Sequence, residues 1–131
     1  MKTKLDKILT EISAGELVDK ITILEIKKEK IKNLEKLAEV EKELSSLNQT
    51  YKEFILNPDI ISELVEKLKI INLKLWDIED GKRDSEKNKN FGSKFVELAR
   101  NVYKFNDQRA EIKFKINKLL GSNIKEVKSY K

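Results

Sequence analysis

The chain carries a single proline, Pro58, in 131 residues, and on both sides of it apolar residues recur every three or four positions. Proline fixes φ and removes an amide donor, so it is the residue that most often interrupts a helix. A chain nearly free of it, with apolar stripes at helical spacing, is directed toward long helices. Upstream, the stripe runs through Leu17, Ile21, Leu24, Ile31 and Leu34, then Leu37, Leu44 and Leu47 toward Tyr51. Downstream, one stripe is Ile61, Leu64, Leu68, Ile71, Leu75 and Ile78. Another is Phe95, Leu98, Val102, Phe105, Arg109, Ile112, Ile116 and Leu119.

Local signals set the expected ends. Ser13-Ala14-Gly15-Glu16 has the pattern of a capping box, in which the serine accepts from the amide three residues on and the glutamate reaches back. Asn33 can cap a second helix, which places a break near Lys32-Asn33. Asn57-Pro58-Asp59 ends that helix and opens a third with proline in its first turn. The run 81–90 is polar throughout and closes the third helix. Ser93 serves as cap for the last, and Gly121 as its C-terminal stop. The spacing thus predicts one all-α domain with helices over about 14–32, 34–55, 59–83 and 93–120, arranged as an antiparallel bundle of three to four long helices. The arm over 1–12, with Leu5, Ile8, Leu9 and Ile12, reads as a weak helix or an extended segment, and 121–131 as an extended tail. Thirty helical residues span about 45 Å, more than a compact chain of this size needs, so a homodimer is the expected assembly.

Composition removes several chemistries. There is no cysteine and no histidine, so a disulfide scaffold, a Cys nucleophile, a His general base and a zinc site of His/Cys type are excluded. No cofactor is implied. No stretch approaches the roughly 18 apolar residues of a membrane span, and Met1–Asp6 lacks the apolar core of a signal peptide. The expected location is the cytoplasm. Net charge is +5, with the excess in the last third of the chain. Of 28 basic residues only Arg83, Arg100 and Arg109 are arginines. Where lysine is the default cation, arginine is informative, because its planar fork of donors grips carboxylates and anions in a way an ammonium does not.

Arg109 interrupts the last apolar stripe, and a guanidinium on a buried face must be paired. Asn106 and Lys113 flank it. On the preceding helix Asn72, Trp76, Glu79, Arg83 and Glu86 form a polar stripe. On the first helix Asp19, Thr22 and Glu25 border the leucine seam. Packing would gather these into a polar layer, with Glu79 or Asp80, and Glu25 or Asp19, neutralising Arg109 while Asn72 and Asn106 complete the hydrogen bonds. The candidate ligand-binding set is Arg109, Arg100, Arg83, Glu79, Asp80, Asn106, Asn72, Trp76, Glu25 and Asp19, for a small anionic ligand. The competing readings are a layer that only sets helix register, and a Mg²⁺-dependent nucleotide hydrolase. That hydrolase would use Glu16 and Asp19 with Asp77, Glu79, Asp80, Asp84 and Glu86. Nucleic-acid binding ranks last, since the aromatic residues among the lysines fall on or beside the apolar stripe.

Several phrases also carry a resemblance: Ser13-Ala14-Gly15-Glu16-Leu17-Val18-Asp19-Lys20-Ile21-Thr22-Ile23-Leu24-Glu25-Ile26-Lys27, Leu75-Trp76-Asp77-Ile78-Glu79-Asp80 with Arg83, Leu98-Ala99-Arg100 with Val102-Tyr103, and Asn106-Asp107-Gln108-Arg109-Ala110. Over 13–130 the chain resembles a family of small all-helical proteins from marine and other bacteria and their phages, for which no activity is established. The resemblance implies shared polar residues at Asp19, Glu25, Glu79, Asp80, Arg83, Arg100, Asn106 and Arg109. It also implies an extended, proline-containing opening, where this chain has Lys7-Ile8-Leu9-Thr10-Glu11-Ile12 instead.

Overall fold

A computed structural model describes residues 4–128 and is all-helical, with no strand among the described residues. The first three residues of the expected arm and the last three of the expected tail lie outside the described residues. Four helices follow one another: α1 (Ala14–Lys30), α2 (Leu34–Phe54), α3 (Ser62–Lys87) and α4 (Ser93–Leu120). The proline does not open α3 directly. It starts a 3-10 turn, Pro58–Ile61, that leads into it. At its other end α3 continues through Arg83 to Lys87, because the polar run after Gly81 contains no breaker stronger than that glycine. Residues 4–13 are non-helical, so the apolar spacing of Leu5, Ile8, Leu9 and Ile12 forms no helix there.

The caps follow from local chemistry, with two differences from expectation. Ser13 Oγ accepts from Glu16 N at 3.0 Å, and Asn33 Oδ1 accepts from Lys36 N at 3.0 Å. Glu16, however, turns its carboxylate to Lys113 Nζ at 2.5 Å. Gly92, not Ser93, is the residue preceding α4, and it provides no side-chain cap. Gly121 adopts the left-handed conformation (φ 62°, ψ 41°) expected of a C-terminal glycine stop.

Helix α1 packs against the other three, and α3 packs against α4. Two apolar clusters result. One joins Val18, Ile61, Leu68, Ile71, Ile112 and Ile116. The other joins Leu17, Ile21 and Leu24 of α1 to Val40 and Leu44 of α2. Tyr51 touches both. The N-terminus of α1 lies so close to α4 that a Cβ on Gly15 would sit 2.6 Å from the Lys113 carbonyl oxygen. Glycine is required at that approach. The free amides at the start of α1 are met by residues from far along the chain. Ala14 N donates to Ser122 Oγ at 3.0 Å, and Gly15 N to Asn117 Oδ1 at 2.6 Å. A buried helix start without such partners would leave amide donors unsatisfied.

Candidate functional site

Asp19 is fully buried, and its carboxylate is the centre of the polar layer. Arg109 Nε donates to Asp19 Oδ1 at 2.9 Å and Oδ2 at 3.1 Å, and its Nη2 also donates to Oδ2. This two-pronged contact uses the guanidinium geometry that lysine lacks. Asn72 Nδ2 donates to Asp19 Oδ1 and to Thr22 Oγ1, both at 2.9 Å, while Thr22 Oγ1 donates to the Asp19 carbonyl at 2.8 Å. Lys113 Nζ stands 3.7 Å from Asp19 Oδ2. Arg109 Nη1 donates to Asn106 Oδ1 at 3.3 Å. The hydrogen bond to Asp19 raises the Arg109 pKa, against the opposing effect of partial burial, so the guanidinium stays charged. No buried side-chain nitrogen or oxygen among the described residues lacks a partner.

Above this layer lies a cleft of about 500 Å³ between α1, α3 and α4. Asn72, Trp76, Glu79, Asp80, Arg83, Asn106 and Arg109 all line it, together with Ile23, Ile26, Lys27, Leu75 and Val102. On α3, positions 72, 76, 79 and 83 fall within about 60° of one another at roughly 100° per residue, so a single face of one helix delivers four of them.

Two candidate residues, Arg100 and Glu25, lie outside the cleft, and Glu79 and Asp80 line it without pairing with Arg109. Arg100 is exposed and outside the cleft; nine residues before Arg109, it lies about 180° around the helix. Glu25 is half-buried and outside the cleft, and its side chain makes no ion pair or hydrogen bond among the described residues, being turned about 120° from Asp19. Glu79 pairs with Lys82 at 3.6 Å instead of Arg109. Both Glu79 and Asp80 lie some 10 Å further along α3 than Asn72, the residue level with Asp19. For the magnesium reading, no group of three or more His, Cys, Asp or Glu among the described residues is placed to share a metal ion.

The candidate set expected from the sequence omits Lys27 and Asn117. Lys27 sits one residue after Ile26, which shares the Asp19 face, and that spacing was the available signal. Asn117 falls eight residues after Arg109 and one after Ile116, and its role at the start of α1 has no local sequence signal.

Residues 8–131 match the family of unknown function DUF6165. The chain belongs to that family. No curated protein and no solved structure matches it. Membership of DUF6165 therefore assigns no reaction, and the chemistry has to be argued from the cleft and its charged layer. No helix among the described residues is long and apolar enough to cross a membrane.

Proposed function

We propose that this DUF6165 protein is a helical binding module whose cleft between α1, α3 and α4 takes a small ligand bearing an anionic group. One observation carries the reading: seven polar or aromatic side chains from two helices line one concave space of ligand size, with apolar walls beside them. Arg83 and Lys27 are the cations open to a ligand there, because Arg109 is already engaged by Asp19. Asp19, Asn72 and Thr22 act as positioning residues that hold Arg109 and Asn106 in the cleft floor. We infer the surrounding architecture to be an antiparallel bundle. Gly15 meets Asn117 and Asp19 meets Arg109, a falling register that favours opposite directions for α1 and α4.

A thermal melt in the presence of small compounds that carry a carboxylate, amino acids among them, and of phosphate tests the site. A ligand at one hundred times its Kd stabilises the folded chain by about 2.7 kcal/mol, a shift of several degrees. Arg83→Met should abolish the shift while far-UV circular dichroism stays unchanged. A ligand that shifts both proteins equally would move the site elsewhere.

A homodimer is the second reading, and the arm favours it. Leu5, Ile8 and Leu9 are 74%, 81% and 87% exposed, beside a groove lined by Ile12, Phe54, Leu56, Ile60 and Leu119. Apolar side chains at such exposure are natural contact surfaces for a second copy. Light scattering should give twice the chain mass, and removal of residues 1–12 should return it to one.

A further inference from the structure

The charges of the cleft are balanced, and this restricts the occupant. Arg109 is neutralised by the fully buried Asp19. The remaining charged lining is Lys27 and Arg83 against Glu79 and Asp80. The Glu79–Lys82 contact at 3.6 Å is a loose pair within one helix with the Glu79 side chain exposed, which leaves that carboxylate available. A simple anion would bring its charge beside two carboxylates, and a simple cation would meet the reverse conflict. Like charges held together without compensation oppose binding.

The floor adds a second constraint. Asn72 is 5% exposed and its side chain donates two hydrogen bonds through Nδ2, while its Oδ1 accepts none among the described residues. Asn106 accepts from Arg109 through Oδ1, while its Nδ2 donates none among the described residues. Every buried side-chain nitrogen and oxygen among the described residues is partnered, so these two atoms keep access to solvent. The cleft is the space that both residues line. It thus offers one free acceptor and one free donor at its base, and apolar walls in Ile23, Leu75, Trp76 and Val102.

We propose that the occupant is a small zwitterion with an apolar body, of the amino-acid type. Its carboxylate meets Arg83 and Lys27, its ammonium meets Glu79 and Asp80, and its apolar part lies along Trp76 and Leu75. This assignment rests on the reading of the cleft as the ligand site.

Trp76 is the only tryptophan in the chain, so its emission reports on the cleft directly. The intact protein is titrated with L-leucine and L-phenylalanine, with their N-acetyl forms, which carry only the anion, and with their amides, which carry only the cation. The expected result is a saturable emission change with a free amino acid, and binding at least about tenfold weaker for both blocked forms. Glu79→Gln/Asp80→Asn should remove the preference over the N-acetyl form while the helical signal persists. Equal binding of an N-acetyl form or an amide overturns the zwitterion assignment and leaves a cleft that binds ligands. No saturable change with any of the six compounds, together with an unchanged melting temperature, overturns the zwitterion. If carboxylates and phosphate also leave the melt unmoved, the binding reading falls with it.

Discussion

Toward α2, helix α1 presents Leu17, Ile21 and Leu24 to Val40 and Leu44. Toward α3 and α4, it presents Asp19 and Thr22 between Val18 and Ile26. The first contact is held by apolar area alone. Such attraction is non-directional, and one leucine replaces another if the helices slide by a turn. The second contact is directional. Sliding α4 by one turn, about 5.4 Å, would leave the Asp19 carboxylate buried away from Arg109, which is strongly unfavourable. Both sides bury apolar area, but only the α3/α4 side adds a directional contact that fixes register and, with it, the shape of the cleft. Helix α2 accordingly buries only Val40 and Leu44 along its length, whereas α1 buries eight residues over more than half of its circumference.

The contrast breaks most visibly at Arg109. Arg109→Met strands the buried Asp19 carboxylate with only Asn72 and a 3.7 Å contact to Lys113. Denaturant unfolding should show a loss of about 3–5 kcal/mol, the usual cost of breaking one half of a buried pair. Unchanged stability would mean that the pair does not set register. On the other side, Leu44→Ala should cost about 2 kcal/mol, at the low end for a buried leucine, because peripheral α2 can relax into the space. A loss as large as that of Arg109→Met would erase the difference between the two faces.

Tyr51, which touches both clusters, sharpens the comparison with the smallest effect. Burial pushes its phenol above the ordinary value of 10.0. The folded state then holds the phenolic proton more tightly than the unfolded chain. Its contribution to stability is complete below about pH 10 and is lost as pH rises through the folded value. Tyr51→Phe should change stability at pH 7 by no more than about 0.5 kcal/mol. Unfolding measured at pH 9 and pH 11 should show a smaller alkaline loss for the variant than for the wild type.

Much of the candidate site was legible along the chain. The interruption of the α4 stripe at Arg109 announced a buried ion pair, and the spacing of Asn72, Trp76, Glu79 and Arg83 announced one helix face. The same arithmetic argued against Arg100, half a turn round from Arg109, and against Glu25. Those two residues were misplaced by giving residue type more weight than helical angle. The 3-10 turn at Pro58 and the extension of α3 to Lys87 were not legible, since the competing signals there differ by less than the energy that packing supplies.

By itself, the sequence determined that the chain is helical, roughly where the helices start and stop, and which side chains share a face, because capping chemistry and a 3.6-residue period act over a few neighbouring residues. Only the tertiary structure decided that Asp19, and not Glu25, Glu79 or Asp80, receives Arg109, and that Asn117 and Ser122 complete the start of α1. Periodicity fixes the angle of a residue around its own helix. It carries no information on how far two helices ninety residues apart are shifted along each other, and hydrogen-bond distance depends on that shift.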